Sequence, residues 1–126
     1  MIRDRCRDVP ESEARDHVAG YTLLNDLSAR DHQFKTPQCM PGKTFDDAAP
    51  CGPALVTPDE AGPHDAIEIE LTLNGEVMQK SSTADLVHSV PAVVVYLSQL
   101  MTLESGDLVS TGTPAGAGSL RDPRSG

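Results

Sequence analysis

The most regular pattern in the chain is a strict alternation, in which Ile67, Ile69, Leu71 and Leu73 are separated by Glu68, Glu70 and Thr72. Successive side chains of a strand point to opposite faces, so this stretch predicts a strand with one apolar and one solvated face. Asn74-Gly75 follows, then Glu76, Val77 and Met78. Asn-Gly suits the two positive φ angles of a type I′ turn, and Ile67 to Lys80 is therefore expected to form a hairpin. A different pattern runs from Pro91 to Leu100, which is apolar on most sides and is preceded by Ser89. Its length and cap fit a buried helix, although the Val93-Val94-Val95 run also admits a strand.

The remaining elements are shorter. Pro10 to Asp16 predicts a short helix, with Pro10 at its first position, Glu11 and Glu13 at its positive end, and Gly20 after it. Val18 to Leu24 predicts a strand, ended by the turn formers Asn25-Asp26. Ser28 and Asp31 resemble a loose capping box for one helical turn. From Phe34 to Pro53, prolines and glycines interrupt any period, so a long loop is expected, of the kind that is either functional or disordered. Ala54 to Thr57 and Asp107 to Thr111 predict strands, the second leading into a glycine-rich loop from Gly112 to Ser119 and a polar end from Leu120 to Gly126. Helices and strands mix without a βαβ rhythm, which favours the α+β class.

The chain's 126 residues suit one domain. Aromatic residues are scarce (Tyr21, Phe34, Phe45, Tyr96 and no Trp), so the core must be built from Val, Leu, Ile and Ala or completed by a partner surface. The formal net charge of -9 argues against nucleic-acid binding and against an anionic membrane surface. With no long apolar run and no signal-peptide core at the start, a soluble, cytoplasmic protein is expected. Cys6, Cys39 and Cys51 form no CxxC and are expected to be reduced thiols rather than a disulfide framework or a zinc knuckle.

Taken singly, the candidate functional residues have bland explanations. Asp26 ends a strand where sites are often built, yet an Asp there also serves the turn itself. Arg30, Asp31 and Gln33 offer carboxylate and amide recognition, or simply a solvated helix. Lys43, in PGKTFD, could stabilise an enolate or move a proton; an isolated loop lysine is ordinarily just solvated. Glu68 and Glu70 form an E-x-E pair, but the hairpin alternation sends both to the solvated face. The four histidines lack ligand spacing. The loop TGTPAGAGS presents backbone N–H groups that suit a carboxylate or carbonyl oxygen, and it lacks the lysine of a nucleotide-binding loop.

The ordered set is more specific than any member. VAGYTLLNDLSARDHQ, PGKTFD, GPALVTPDE, LTLNGEVMQ and GDLVSTGTPAGAG together resemble the fumarylacetoacetate hydrolase family over nearly the whole chain. The resemblance implies a mixed β-roll fold, a homodimer, and Mg²⁺, Mn²⁺ or Ca²⁺ held by an E-x-E pair plus an aspartate. It implies action on 2-oxo or 1,3-dicarbonyl acids: hydrolysis of acylpyruvates or fumarylacetoacetate, decarboxylation of oxaloacetate, or isomerisation of hydroxydienedioates. Carried over residue by residue, it makes Asp26 the third metal ligand, Arg30 and Gln33 the substrate-carboxylate contacts and Lys43 the catalytic lysine. Gly112 and Thr113 become substrate contacts.

The family's E-x-E pair and its lid histidine and glutamate would precede a segment like IRDRCRDVPESEA, and further strands would follow TGTPAGAG. Cys39 stands where the family commonly has an aromatic. The chain is therefore expected to be a partial catalytic domain with weak metal binding and little activity alone, either a piece of an active enzyme or a non-catalytic, partner-binding relative.

Overall fold

A computed structural model describes residues 1–120. Two compact units divide them: Met1–Tyr21 with the chain from Val56 onward, and Thr22–Leu55. The architecture is mixed α and β with two small two-stranded sheets, in agreement with the α+β expectation.

In the first unit the start of the chain is the organising thread. The Ile2 amide donates to the Asp107 carbonyl at 2.8 Å and the Arg3 amide to the His17 carbonyl at 2.8 Å. Cys6 and Leu103 exchange both backbone hydrogen bonds, at 2.9 and 3.0 Å. These contacts gather Ile2, Cys6, Val9, Ala14, Val18, Val94 and Leu103 into a buried core without a single aromatic ring. Val94 comes from helix α3 (Val90–Leu100), capped as expected by Ser89, whose hydroxyl accepts from the Ala92 amide. The strand alternative for Val93–Val95 is excluded; Ser98 shows why the helix docks well. Fully buried, its hydroxyl accepts from the Val9 amide at 3.0 Å and donates to the Val95 carbonyl at 2.8 Å. A small apolar cavity of about 60 Å³ lies beside the helix, lined in part by Ile2, Val18, Tyr21, Val90 and Val109.

The same unit carries the hairpin, β3 (Glu68–Leu73) and β4 (Glu76–Ser82). Asn74 and Gly75 adopt φ of 53° and 86°, as a type I′ turn requires. The register shifts between Leu71 and Thr72, because Leu71 pairs with Gln79 while Thr72 pairs with Val77. Met78 is the extra residue of a bulge. Glu68 and Glu70 are exposed as expected, and Glu70 pairs with Lys80 at 3.1 Å. The opposite face is only partly covered: Ile69 is half-buried, whereas Leu71 and Leu73 are exposed. The short helix α2 (Pro58–Ala61) also lies here.

One local expectation is met in part and two fail. The short helix expected over Pro10–Asp16 is a turn leading into a 3-10 helix at Ala14–His17, because the chain must reverse there to pair His17 and Val18 with its own start. Asp107–Thr111 is not a strand; Asp107 is the acceptor of the Ile2 amide, but no ladder extends beyond it among the described residues. A β pattern without a neighbouring strand has nothing to pair with. Ser28 and Asp31 do not cap a helix: α1 (Arg30–Gln33) is preceded by Ala29, with no side-chain cap.

The second unit pairs β1 (Tyr21–Leu24) with β2 (Cys51–Val56). β1 begins three residues later than the apolar run starting at Val18, and β2 starts at Cys51, inside the stretch expected to be loop. A 3-10 turn at Met40–Gly42 interrupts the remaining expected loop. The expected polar end lies, beyond Leu120, outside the described residues. No helix among the described residues is long and apolar enough to cross a membrane.

Candidate functional site

The Thr22–Leu55 unit brings two loop segments together through its backbone. Asn25 donates to the Pro50 carbonyl at 3.0 Å, Leu27 to Ala48 at 3.0 Å, and Ala29 to Gly42 at 2.9 Å. Gly42 is pressed against α1: a Cβ placed on it would lie 2.5 Å from the Gln33 Cβ and 2.7 Å from the Gln33 Cα. Only glycine permits that approach. The 3-10 turn is closed by the Lys43 amide, which donates to the Met40 carbonyl at 2.8 Å.

Lys43 is thereby set against the segment that follows β1. Its ammonium donates to the Asp26 carboxylate and, at 3.1 Å, to the Ser28 hydroxyl. Ser28, expected to cap a helix, is in fact a lysine partner, and its own hydroxyl donates to the Asp26 carbonyl at 3.3 Å. Nothing in the local sequence pairs Ser28 with a residue fifteen positions later. An ammonium has three donors, two of which are engaged here, and the lysine side chain is 34% exposed. A further acceptor can reach the third.

On α1, Arg30 and Gln33 lie one helical turn apart on one face. The Arg30 Nη1 donates to the Gln33 Oε1 at 2.6 Å. Gln33 is buried, and the arginine it holds is itself exposed.

Gly112 and Thr113 belong to the other unit, in the loop after Val109. Gly112 has φ of 105°, and Thr113 is exposed. The amide of Gln79, from β4, donates to the Thr113 hydroxyl at 3.3 Å and to the Pro114 and Ala115 carbonyls at 2.8 and 3.4 Å. Gln79 is absent from the sequence-based candidates because hairpin periodicity assigns it only a place in a strand.

Among the described residues, no three His, Cys, Asp or Glu side chains gather to hold a metal ion. Asp26 is a single carboxylate and is already engaged by Lys43. Mg²⁺-type ions need several hard oxygens, so these residues by themselves do not fit a divalent ion.

The sequence pattern of the fumarylacetoacetate (FAA) hydrolase C-terminal domain matches residues 1–125, and the chain belongs to that family. It is 44% identical over 126 residues to the mitochondrial oxaloacetate tautomerase FAHD2A of Bos taurus, covering 98% of this chain and 40% of that protein. The fumarylacetoacetate hydrolase of psychrophilic Exiguobacterium antarcticum superposes with a TM-score of 0.93 at 38% identity, over 99% of this chain and 45% of that one. A fumarylpyruvate hydrolase from Pseudomonas aeruginosa, in complex with Mn²⁺ and pyruvate, gives 0.82 at 38% identity, over 91% of this chain and 51% of that one. The fold expected from the resemblance is therefore the fold found. The chain spans about half the length of the relatives it matches.

Proposed function

We propose that this chain carries the lysine and carboxylate-recognition part of a site for small 2-oxo acids, acting on their enol or enolate forms. The observation that carries this reading is the Lys43 ammonium, held by Asp26 and Ser28 with one donor left over. A cationic donor fixed in advance lowers the energy of a developing enolate oxygen, and the same group can deliver or accept a proton at the adjacent carbon. Arg30, steadied by Gln33, takes the substrate carboxylate. In the other unit, Gly112 and Thr113 are proposed as substrate contacts in their own right. These roles suit hydrolysis of acylpyruvates or fumarylacetoacetate, oxaloacetate decarboxylation, and isomerisation of hydroxydienedioates. Keto–enol interconversion of oxaloacetate demands least, because only a proton moves.

A divalent cation belongs to this reading, with Mg²⁺, Mn²⁺ or Ca²⁺ as candidates and Asp26 as one carboxylate ligand. The Mn²⁺ and pyruvate of the Pseudomonas relative support it. The described residues do not complete such a site, so no step is assigned to the ion. A homodimer is part of the same reading.

The test follows enol oxaloacetate by ultraviolet absorbance, with Mn²⁺ supplied, alongside pyruvate binding by calorimetry. The expected result is a weak acceleration over buffer that is lost in Lys43→Met. Neither acceleration nor pyruvate binding would sink the reading and leave a non-catalytic protein of this fold. Pyruvate binding without turnover would favour that second reading in a ligand-binding form.

A further inference from the structure

Thr113 is a proposed substrate contact, but a threonine hydroxyl on an exposed loop can rotate and either donate or accept. The hairpin removes that ambiguity. Gln79 stands on β4, paired with Leu71 beside the bulge at Met78. Bulges re-aim the side chains next to them. Here the neighbouring amide reaches a loop 34 to 36 residues further along the chain. Its two N–H hydrogens are shared among three acceptors: the Thr113 hydroxyl and the Pro114 and Ala115 carbonyls. Two of those acceptors are backbone, so the contact fixes the path of the loop and not merely one side chain.

The polarity matters more than the number of bonds. An amide nitrogen only donates, so the Thr113 oxygen must accept from Gln79, and its own proton is directed elsewhere. We propose that Gln79 is a positioning residue: it clamps the Thr113–Ala115 loop and holds the Thr113 hydroxyl as a donor toward an oxygen of a bound 2-oxo acid. This rests on the reading of Thr113 as a substrate contact. The role needs the nitrogen end of the amide. A glutamate of the same shape offers only acceptors and would face two carbonyl oxygens, whereas a leucine would leave the loop unheld.

The experiment uses the full chain with three variants, Gln79→Glu, Gln79→Leu and Thr113→Val, and two readouts. Backbone amide exchange across residues 112–117 reports the clamp without any ligand. Pyruvate titration in the presence of Mn²⁺ reports the directed hydroxyl. Both Gln79 variants are expected to speed exchange in that loop while leaving α3 protected. Each is also expected to weaken pyruvate about tenfold, the scale of one lost hydrogen bond. Adding Gln79→Leu to Thr113→Val should weaken pyruvate little further, since both act through one hydroxyl. Unchanged exchange in the Gln79 variants would overturn the clamp. A Thr113→Val effect that Gln79→Leu does not reproduce would overturn the directing role. Unchanged affinity in Thr113→Val would instead overturn the reading of Thr113 as a contact, and with it the hydroxyl half of this inference.

Discussion

Gly42 lies so close to Gln33 that a Cβ on it would fall 2.5 Å from the Gln33 Cβ. The atoms it would strike belong to the backbone and Cβ of a buried residue, not to the far end of a flexible chain. This contact holds the 3-10 turn before Lys43 against the helical turn that carries Arg30. Gly42→Ala is therefore expected to destabilise the Thr22–Leu55 unit by about 1–3 kcal/mol, the usual cost of forced overpacking. Urea unfolding would check the loss. Pyruvate affinity should drop with it, because Lys43 and Arg30 would separate.

Asp26 and Lys43 separate stability from function. Both side chains are partly exposed, and such pairs contribute at most about 1 kcal/mol. Asp26→Asn should leave the melting temperature within a few degrees of the parent, by roughly the usual scaling. The weak enol–keto acceleration should nevertheless be lost, since the ammonium loses the charge that orients it and the proposed cation site loses a carboxylate. A large stability loss with intact turnover would reverse the assignment.

Ser98 tests the core. Its hydroxyl is the acceptor of the Val9 amide at the buried junction of α3 with the start of the chain. Ser98→Ala strands that donor and is expected to cost about 1–3 kcal/mol. Denaturant midpoints would measure it, and pyruvate binding to the folded fraction should be unaffected.

Cys6 makes stability depend on alkaline pH. Burial raises the Cys6 thiol above its ordinary value, and the nearby Asp4 carboxylate adds to the shift. Tyr21 is raised too, mainly by burial, with Arg15 acting against it. A group whose native value is raised contributes stability that is fully present below its unfolded value and is lost as pH rises through the raised native one. Thermal melts should thus weaken as pH climbs past the ordinary thiol range, and Cys6→Ala should flatten part of that slope. At neutral pH, a thiol-reactive dye should label exposed Cys39 and Cys51 well before buried Cys6.

The elements legible from local sequence are those whose cause is local. Asn74-Gly75 dictated its turn through backbone sterics, and Ser89 with Pro91 opened α3 through capping chemistry. The alternation from Ile67 to Leu73 placed Glu68 and Glu70 in solvent correctly. The ordered motifs were sufficient for the family. Single residues were not: Lys43 alone looked like any solvated lysine, and Ser28 looked like a cap. Their meeting depends on backbone bonds between residues 13 to 25 positions apart and on the missing side chain of Gly42. Asp107–Thr111 read as a strand because its composition is right, but pairing needs a neighbour that composition does not supply. The same limit hid Gln79, whose amide meets Thr113 only once a bulge has turned it. Periodicity and turn chemistry are properties of neighbours along the chain. Which donor faces which acceptor is decided by distance in space, and for Lys43–Asp26 and Gln79–Thr113 only the tertiary structure sets it.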